Sequence, residues 1–546
     1  MPEYLSPGVY IQEINSGPRP IEGVGTACAA FVGFAPSGPI NKPQLITNWT
    51  QYSDMFGIIG TEGRRDPHME GAYLSHAVHA YFLNGGGRCY VTRIVAGNSK
   101  ADPFRPVPIP SRSKSSPTRL LTFSGKSVHT CDIVVEIKED KGKEDKSEPK
   151  VGRTPAPSSP PAEGAPAPSV EPPLGPDSTF TVIVRIGNVP RETYANLTIG
   201  KGPRNVVEVI NQNSELVKVE VDSKINLSNY FPASDKYSID RMPLPALPEG
   251  LQQSELVGDV SERSGIEGLA IADDVTMVCF PDLMAAFLAK KISLEMVEAA
   301  QRAMIDHCER MGDRMAILDP LPNLSPQQVK QWRGVANYDS KFAALYYPWL
   351  KIMGPDGKEM LVPPSGHVAG VWARSDNERG VHKAPANETI RGISEVAHPI
   401  TQGEQDTLNP NGINCIRAFT GRGIRIWGAR TLSSDPAWRY INVRRLFNFV
   451  EKSIEQGTQW VVFEPNDHNL WARVRRDVGA FLVQSWRDGM LFGRTPDEAF
   501  FVKCDDELNP SESRDQGKLI IEVGMAPVKP AEFVIFRFSQ WVGGGA

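Results

Sequence analysis

The pattern of hydrophobic and polar positions alternates between short apolar runs and longer stretches with helical spacing. Residues 27–34 (ACAAFVGF) form a short continuous apolar run, which is typical of a buried strand. Residues 69–84 place Tyr73, Ala77, Ala80 and Tyr81 on one helical face, and residues 88–95 (RCYVTRIV) form the next apolar run. Strand, helix and strand in this order predict an α/β fold.

The same alternation continues between residues 274 and 379. Apolar runs predict strands at 274–280, 314–318 and 342–347, and helical spacing predicts helices at 293–311, 325–332 and 363–379. Ser293 is a candidate helix N-cap, and Ser325 followed by Pro326 is a typical helix start. We therefore predict a doubly wound parallel sheet with helices on both faces.

The stretch between these two regions differs in composition. Short β-type runs at 120–124 and 131–137 lead into a mixed charge run at 138–150, followed by Pro, Ala and Ser up to residue 176. Such a segment cannot bury enough apolar surface to fold. The sequence predicts a β-rich insertion domain at 101–260 that contains a disordered loop at 138–177.

The last part of the chain predicts an α+β domain. Residues 437–455 and 468–487 have helical spacing, and a strand is expected at 499–503. Two further strands are predicted at 519–523 and 532–539, joined by MAPVKP. Apolar side chains occupy both faces of the final strand: Phe533, Val534, Ile535, Phe536 and Phe538.

This final strand has two interpretations. It could close its own sheet, as most terminal strands do, and the pattern alone favours that interpretation. It could instead pair with another subunit, because Pro527 and Pro530 set it apart and an open apolar edge would invite aggregation. Residues 1–22 resemble it, since Val9 and Ile11 alternate with Tyr10 and Gln12 between Pro/Gly segments. A strand-like arm at each end strengthens the exchange hypothesis.

Composition narrows the class of protein. The net charge of −5 argues against a general nucleic-acid binder. Seven scattered cysteines without a CxxC motif indicate folding in a reducing compartment rather than a disulfide framework. We recognise no secretion signal and no apolar run of about 20 residues, so we expect synthesis in the cytoplasm without membrane insertion.

Candidate chemistry is sparse. His76 and His79 are spaced i, i+3 on a predicted helix, but HExxH and a third ligand are missing, so surface histidines are the better interpretation. Ser365 and His367 are adjacent in sequence without a GxSxG elbow. We predict no catalytic residue, no cofactor and no metal site.

The two late helices carry a cluster of basic residues in an otherwise acidic chain. Any single one is best interpreted as solvated helix surface, but together they could dock on an acidic partner. The residues proposed for this contact are Arg444, Arg445, Arg473, Arg475 and Arg476.

Several long stretches resemble the tail sheath proteins of contractile injection systems, which include contractile phage tails, R-type pyocins and extracellular relatives. They are YLSPGVYIQEINSGPRPIEGVGTACAAFVGFAPSGP, NGGGRCYVTRI, the region LNPNGINCIRAFTGRGIRIWGARTLSSDPAWRYINVRRLFNFVEKSIEQGTQWVVFEPND and GKLIIEVGMAPVKPAEFVIFRFSQ. The matches cover both ends and most of residues 265–546. Residues 101–260 are not recognised.

The resemblance implies a subtilisin-like core domain without a catalytic triad. It also implies that both terminal arms, at Val9, Tyr10 and Ile11 and at 533–538, pair with sheets of neighbouring subunits. Hexameric rings of this chain would stack around an inner tube protein, with baseplate and terminal cap proteins at the ends. The extended sheath would be metastable, and contraction would drive the tube through a target envelope.

The implied organisation has four parts, one of which is formed by two separate segments. They are an N-terminal arm at 1–22, a core domain at 23–100 and 261–430, the insertion at 101–260 and a C-terminal sheath domain at 431–546. The particle could be a phage tail, a released device or a membrane-anchored system. The alternative function is a hydrolase on an α/β scaffold, suggested by fold class alone.

Overall fold

A computed structural model describes residues 21–59, 65–96, 107–110, 119–125, 131–138, 179–186, 189–199, 202–221, 232, 235–239 and 247–537. The chain divides into two compact units. Unit 1 comprises the described residues within Met1–Phe56, His68–Gly97 and Ala246–Ala546. Unit 2 comprises those within Gly57–Pro67 and Asn98–Pro245.

The strands are numbered along the described part of the chain. They are β1 Cys28–Gly33, β2 Gln44–Ile46, β3 Ile58–Ile59, β4 Arg65–Asp66, β5 Arg88–Arg93, β6 Val107–Pro110, β7 Arg119–Gly125, β8 Cys131–Lys138, β9 Thr179–Ile186, β10 Val189–Leu197, β11 Val217–Val221, β12 Lys236–Ile239, β13 Met277–Cys279, β14 Met315–Leu318, β15 Ala343–Tyr347, β16 Leu350–Met353, β17 Glu359–Val362, β18 Glu388–Thr389, β19 Glu395–Val396, β20 Ile413–Phe419, β21 Gly423–Ile426, β22 Phe500–Lys503 and β23 Glu522–Met525.

The α-helices are numbered in the same way. They are α1 Trp49–Phe56, α2 Leu74–Leu83, α3 Val206–Asn213, α4 Gln253–Val257, α5 Asp282–Leu288, α6 Leu294–Met311, α7 Pro326–Ala336, α8 Ser365–Arg379, α9 Gln402–Leu408, α10 Ile441–Gly457, α11 His468–Arg487, α12 Pro496–Ala499 and α13 Ser511–Asp515.

Unit 1 is built on a mixed sheet whose strand order is β18-β21-β20-β15-β14-β13-β1-β5-β2. The strands from β20 to β5 in this order are parallel to one another, whereas β2, β21 and β18 are antiparallel to their neighbours. Parallel strands need both faces covered, and alternate residues of this sheet do enter two separate apolar cores. In β1, Ala30 and Val32 join one core while Ala29 and Phe31 join the other.

Helices supply the other half of each core. Buried residues of α4, α5, α6 and α7 belong to the first core, and those of α1, α2 and α8 belong to the second. The mixed α/β fold with helices on both faces is therefore as predicted. The N-caps are confirmed as well, since Ser293 Oγ accepts from Met296 N and Ser325 forms a capping box with Gln328.

Some predicted boundaries differ from the observed ones. The helix predicted at 69–84 begins only at Leu74, because the chain first turns at Met69–Ala72, where Gly71 has φ +77°. The strand predicted at 274–280 is limited to Met277–Cys279. Residues 247–260, predicted to belong to the insertion, lie in unit 1, where Leu256 of α4 joins the first core.

Unit 2 contains two sheets, β10-β9-β8-β12 and β11-β7-β6, together with the short β3–β4 pair. All pairings in these sheets are antiparallel. Helix α3 contributes Val206 and Ile210 to the shared apolar core, and Asn205 caps it through Val207 N and Glu208 N. The β-rich character of this region is as predicted. The loop predicted at 138–177 lies, beyond Lys138, outside the described residues.

The C-terminal part of unit 1 has a separate small core. It consists of the inward faces of α10 and α11, on which the β22–β23 pair packs. Helix α11 has the predicted bounds and is capped by Asp467, whose Oδ1 accepts from Leu470 N at 2.8 Å. Helix α10 begins at Ile441, four residues after the predicted start, because Pro436–Trp438 form a separate 3₁₀ turn.

Candidate assembly surfaces

The C-terminal segment leaves the body of unit 1 with its apolar side chains exposed. Phe533, Val534, Ile535 and Phe536 are 72%, 68%, 78% and 77% exposed, so both faces of the segment meet solvent. Residues 532–537 do not belong to any sheet formed by the described residues. The interpretation of this segment as a strand that closes its own sheet is therefore wrong within this range.

The strand predicted at 519–523 is present as β23, which begins three residues later than predicted. It pairs with β22 in antiparallel register, from Phe500 opposite Met525 to Lys503 opposite Glu522. A two-stranded sheet is only marginally stable by itself, and Phe501 on this one is half exposed. The pair therefore has the geometry of an incomplete sheet.

The segment that precedes the exposed residues is held firmly in place. Ala526 N donates to Ala499 O at 2.8 Å, Val528 N donates to Met490 O at 3.3 Å, and Leu491 forms a β-bridge with Pro527. The Asn442 side chain donates to Val528 O at 3.0 Å. The proline-containing linker is thus attached to the C-terminal core.

Glu532 anchors the chain directly before the exposed residues. Its Oε1 accepts from Arg430 Nε at 2.8 Å and from Asn409 Nδ2 at 2.7 Å. Its Oε2 accepts from Arg430 Nη2 at 2.7 Å and from the Tyr440 hydroxyl at 3.0 Å. Burial raises the pKa of Glu532, but the hydrogen bonds from Arg430, Asn409 and Tyr440 outweigh it and leave the pKa below its ordinary value.

The N-terminal arm cannot be compared with this arrangement. Val9, Tyr10 and Ile11, and Phe538 at the other end, lie outside the described residues. Their strand-exchange role stays a prediction.

The predicted basic cluster divides into three sets. Arg473 and Arg476 are exposed on α11, and at about 100° per residue they share a face with Arg487. Arg473 also lies over the Trp460 ring, at 4.4 Å from its centroid. Arg475 lies on a different side of the helix, where its guanidinium donates to Cys504 O.

Arg444 and Arg445 are not at the surface, which corrects the prediction that they contact a partner. Both are about 97% buried inside unit 1. Arg445 forms a two-pronged ion pair with Asp376, with N–O distances of 2.8 and 2.5 Å, and lies over the Trp372 ring. Arg444 lies over the rings of Trp438 and Phe342 and pairs with Glu451. Helical spacing predicts on which side of a helix a residue lies. It does not predict whether the rest of the folded chain covers that side.

The serine and histidine that follow β17 do not form a nucleophile–base pair in this geometry. Ser365 begins α8, and its hydroxyl donates directly to Asp319 Oδ2 at 2.6 Å, while its backbone N donates to Oδ1 at 2.9 Å. His367 is buried, and among the described residues its Nδ1 has no hydrogen-bond partner. Burial raises the pKa of Asp319 to about 7 and lowers that of His367 to about 3. The carboxylate thus serves as a cap for α8.

Four histidines meet around one cavity in unit 1. His68 and His76 stack with ring centroids 4.5 Å apart, and His79 packs edge-on against Trp49 at 4.8 Å. His367 completes the lining. The expectation that His76 and His79 are surface histidines holds for His79, which is exposed, whereas His76 is partly buried. Within the described residues, no set of three or more His, Cys, Asp or Glu side chains has a geometry that could hold a metal ion.

Two further observations concern the chain as a whole. None of the helices in the described ranges combines the length and the apolar character needed to span a membrane. Six cysteines are buried and form no disulfide within the described residues: Cys28, Cys89, Cys279, Cys308, Cys415 and Cys504.

An α/β core, a two-stranded sheet and an exposed apolar terminal segment are the features expected of a subunit that assembles with other chains. Matches to two family models identify the protein family. The phage tail sheath protein central domain matches residues 267–432, and the phage tail sheath C-terminal domain matches residues 433–540. Together the two matches cover half of the chain.

Relatives agree with this assignment. The putative prophage major tail sheath protein of Pseudomonas aeruginosa strain UCBPP-PA14 is 28% identical over 306 residues, which are 53% of this chain and 74% of that protein. The tail sheath protein of Vibrio phage KVP40 is 28% identical over 181 residues, which are 32% of this chain and 26% of that protein. The chain thus spans about a quarter of one relative and three quarters of the other.

Solved structures share the fold over nearly the whole chain. The helical sheath of the anti-feeding prophage in its contracted state matches with a TM-score of 0.56 at 24% identity, over 98% of this chain and 99% of that one. The contracted sheath complex of the extracellular contractile injection system PVC matches with a TM-score of 0.51 at 22% identity, over 99% of each chain. The chain belongs to the phage tail sheath family, as its sequence resemblance indicated.

Two residues near these surfaces have structural features that no sequence pattern predicts. Glu532 is an ordinary Glu in a Pro-rich stretch, and the partners of its carboxylate are 92 or more residues away along the chain. Phe463 lies between α10 and α11, fully exposed and with φ +68°. A bulky side chain in the left-handed region is rare, and no pattern of neighbouring residues predicts it here.

Proposed function

We propose that this chain is the sheath subunit of a contractile injection system. Hexameric rings of the chain stack around an inner tube in a metastable extended state, and contraction drives the tube through a target envelope. The subunit needs no cofactor, because the difference in interface free energy between two lattice packings supplies the work.

The observation that carries this proposal is the exposed segment 533–537. A folded protomer gains nothing from presenting four large apolar side chains on both faces of an extended segment. Burying each of them fully would stabilise an assembly by about 1.5–3 kcal/mol. A segment of this kind is suited to completing the sheet of another chain.

The β22–β23 pair supplies a suitable acceptor. Both strands have an outer edge on which no further strand of the described residues pairs. A C-terminal segment from one neighbour and an N-terminal arm carrying Val9, Tyr10 and Ile11 from another would extend this pair to a four-stranded sheet. Main-chain ladders would then hold the subunits together through contraction.

The proposed partners follow from the same surfaces. The exposed face of α11 with Arg473 and Arg476 would contact an acidic inner tube protein, which raises the rate of association and fixes orientation. Similar structures come from baseplate and sheath assemblies, so baseplate and terminal cap proteins are proposed at the ends of the sheath. The particle would assemble in the cytoplasm, and release into the extracellular medium is one proposed fate. No nucleic acid and no membrane insertion are involved.

The organisation into an arm, a subtilisin-like core, an insertion and a C-terminal sheath domain at 431–546 is part of the proposal. Within it, unit 2 would be a separate insertion domain, because its sheets and core are its own.

Truncation tests the proposal. The full chain should form long hollow tubes in negative-stain images. A variant that ends at Glu532 should fold with an unchanged circular dichroism spectrum and form no tubes, since only the exposed segment is removed. Deletion of residues 1–15 should have the same effect. Tubes of normal length and yield from both truncated proteins would overturn the proposal.

The hydrolase alternative is not favoured by any observation in the site. Ser365 donates to Asp319 rather than to an imidazole, and it lies at a buried helix start. A monomeric form of the chain could be tested for turnover of ester or peptide substrates. Steady turnover that is lost in Ser365→Ala would favour the hydrolase over the sheath subunit.

A further inference from the structure

A cluster of hydrogen bonds around the Glu532 carboxylate directly precedes the exposed segment. Four hydrogen bonds from three residues converge on its two oxygens, and Arg430 supplies two of them side by side. A two-pronged arginine–carboxylate pair fixes direction as well as distance, unlike a single ion pair. Glu532 retains 18% of its side-chain exposure and Arg430 10%, so little water competes for these bonds.

Arg430 is itself fixed to the central sheet. Its backbone N donates to Asn414 Oδ1 at 2.7 Å, and its backbone O accepts from Asn414 Nδ2 at 2.8 Å. Asn414 is fully buried in β20, and its amide also donates to Leu345 O of β15. Arg430 pairs with Tyr440 through a β-bridge as well. The carboxylate of Glu532 is therefore tied to the rigid centre of unit 1.

The position of this cluster decides where the terminal segment can pivot. Before it, the backbone of Ala526 and Val528 is hydrogen-bonded to the C-terminal core, so the chain is attached on both sides of residues 529–531. Lys529 and Ala531 are exposed between these attachments, and Phe533, directly after Glu532, is the first exposed large apolar side chain of the terminal segment. The pivot of the segment is thus placed after Glu532.

We propose that Glu532 and Arg430 form a clamp that positions the C-terminal segment for capture by a neighbouring subunit. This inference rests on the proposed function, since it assigns a partner to the segment 533–537. A segment released from the clamp would still carry its apolar side chains, but it would leave the body at the flexible end of a longer tether. Its effective concentration at the acceptor sheet would fall accordingly.

The test measures the critical protein concentration for tube formation. Glu532→Gln keeps the shape of the side chain but removes its charge and turns an amide towards Arg430. We expect the critical concentration to rise at least tenfold, with an unchanged circular dichroism spectrum. Glu512→Gln is the matched control, because Glu512 is an exposed glutamate of α13 in the same C-terminal part of the chain and lies outside the proposed acceptor sheet, so this variant should assemble as the unmodified chain does.

Two further variants keep the test decisive. Tyr440→Phe removes a single hydrogen bond and should raise the critical concentration by a smaller factor, even if Glu532→Gln folds poorly. The variant that ends at Glu532 keeps the clamp but lacks the segment. Normal assembly of both clamp variants, with assembly lost in the truncated one, would overturn the clamp and leave the proposed function standing. Normal assembly of the truncated variant would overturn the proposed function itself.

Discussion

At the scale of single residues, the arginines of α10 show how burial changes the meaning of a charge. Arg445 and Asp376 face each other in a core with about 3% exposure each, and the Trp372 ring covers the guanidinium. Arg444 is equally buried, but its partner Glu451 is half exposed. The two arginines occupy adjacent positions of α10, so their two ion pairs can be compared directly.

Removing one partner of the buried pair should be costly. Asp376→Asn leaves a buried arginine without its counter-charge, and we expect the free energy of unfolding to fall by about 3–5 kcal/mol. Glu451→Gln should lower it by less than about 1 kcal/mol, because that carboxylate is solvated. Urea unfolding followed by circular dichroism measures both. Equal losses for the two variants would contradict the assignment of Arg445 as a structural residue.

Phe463 gives a second prediction at this scale. Its φ of +68° is unfavourable for a bulky side chain, and its ring is fully exposed and contributes no burial. Phe463→Asn should therefore raise the free energy of unfolding by about 0.5–1 kcal/mol, since Asn tolerates the left-handed region. Val462→Asn, next to it and also exposed but not at positive φ, should change stability by less. A loss of stability in Phe463→Asn would show that the ring has a role within the fold.

At the scale of elements, α11 carries its apolar and basic residues on separate faces. Val474, Val478 and Leu482 enter the C-terminal core, while Arg473 and Arg476 point to solvent. Arg475 takes a third direction and holds the end of β22 through Cys504 O. The sequence showed a cluster of arginines, but only the packing of the helix separates the two kinds.

Charge reversal should show that Arg473 and Arg476 differ from Arg475 in function as well. The double variant Arg473→Glu and Arg476→Glu should fold normally and reduce co-assembly with the inner tube at least several-fold, because the face presented to an acidic partner changes sign. Co-sedimentation of sheath with purified tubes measures this. The single variant Arg475→Gln is the control, and it should alter thermal stability rather than tube binding. If the double variant gives an unchanged yield of sheath on the tube, this face of α11 is ordinary solvated surface and does not contact the tube.

At the scale of the whole molecule, buried titratable groups tie stability to pH in opposite directions. Burial and the neighbouring His68 and His79 lower the pKa of His76 to about 3. An unfolded His binds its proton near pH 6.5, so the unfolded chain holds more protons between about 3 and 6.5, and stability falls as the pH falls through this window. Asp319, whose pKa burial raises to about 7, acts in reverse: the folded chain holds the extra proton between about 3.8 and 7, so stability falls as the pH rises.

Two substitutions should therefore change the slope of stability against pH with opposite signs. Between pH 4 and 6, His76→Gln should lower the slope of the free energy of unfolding against pH. The expected change is at most that of one bound proton, or roughly 1.4 kcal/mol per pH unit. Asp319→Asn should steepen it by a similar amount. Urea unfolding at several pH values measures both slopes. Slopes that shift in the same direction would contradict the assigned protonation states.

The fold was largely predictable where local pattern and tertiary packing agree. The strands β1, β5, β14 and β15 were expected because a parallel sheet buries both faces and so leaves continuous apolar runs. Caps such as Ser293 and Ser325 were expected because their hydrogen bonds are local. The burial of Arg444 and Arg445 was not, since a guanidinium enters a core only when a distant carboxylate or ring meets it there.

The sequence by itself determined the α/β core, the β-rich insertion, the two late helices and the apolar terminal segment, because each depends on periodicity and on neighbours within a few residues. The tertiary structure alone decided which arginines face solvent, where β23 pairs and where the apolar side chains of the terminal segment become exposed. These depend on contacts such as that of Glu532 with Arg430, 102 residues apart, whose energies belong to neither segment alone. Periodicity records which side of an element is apolar, and only the packed chain decides what meets it.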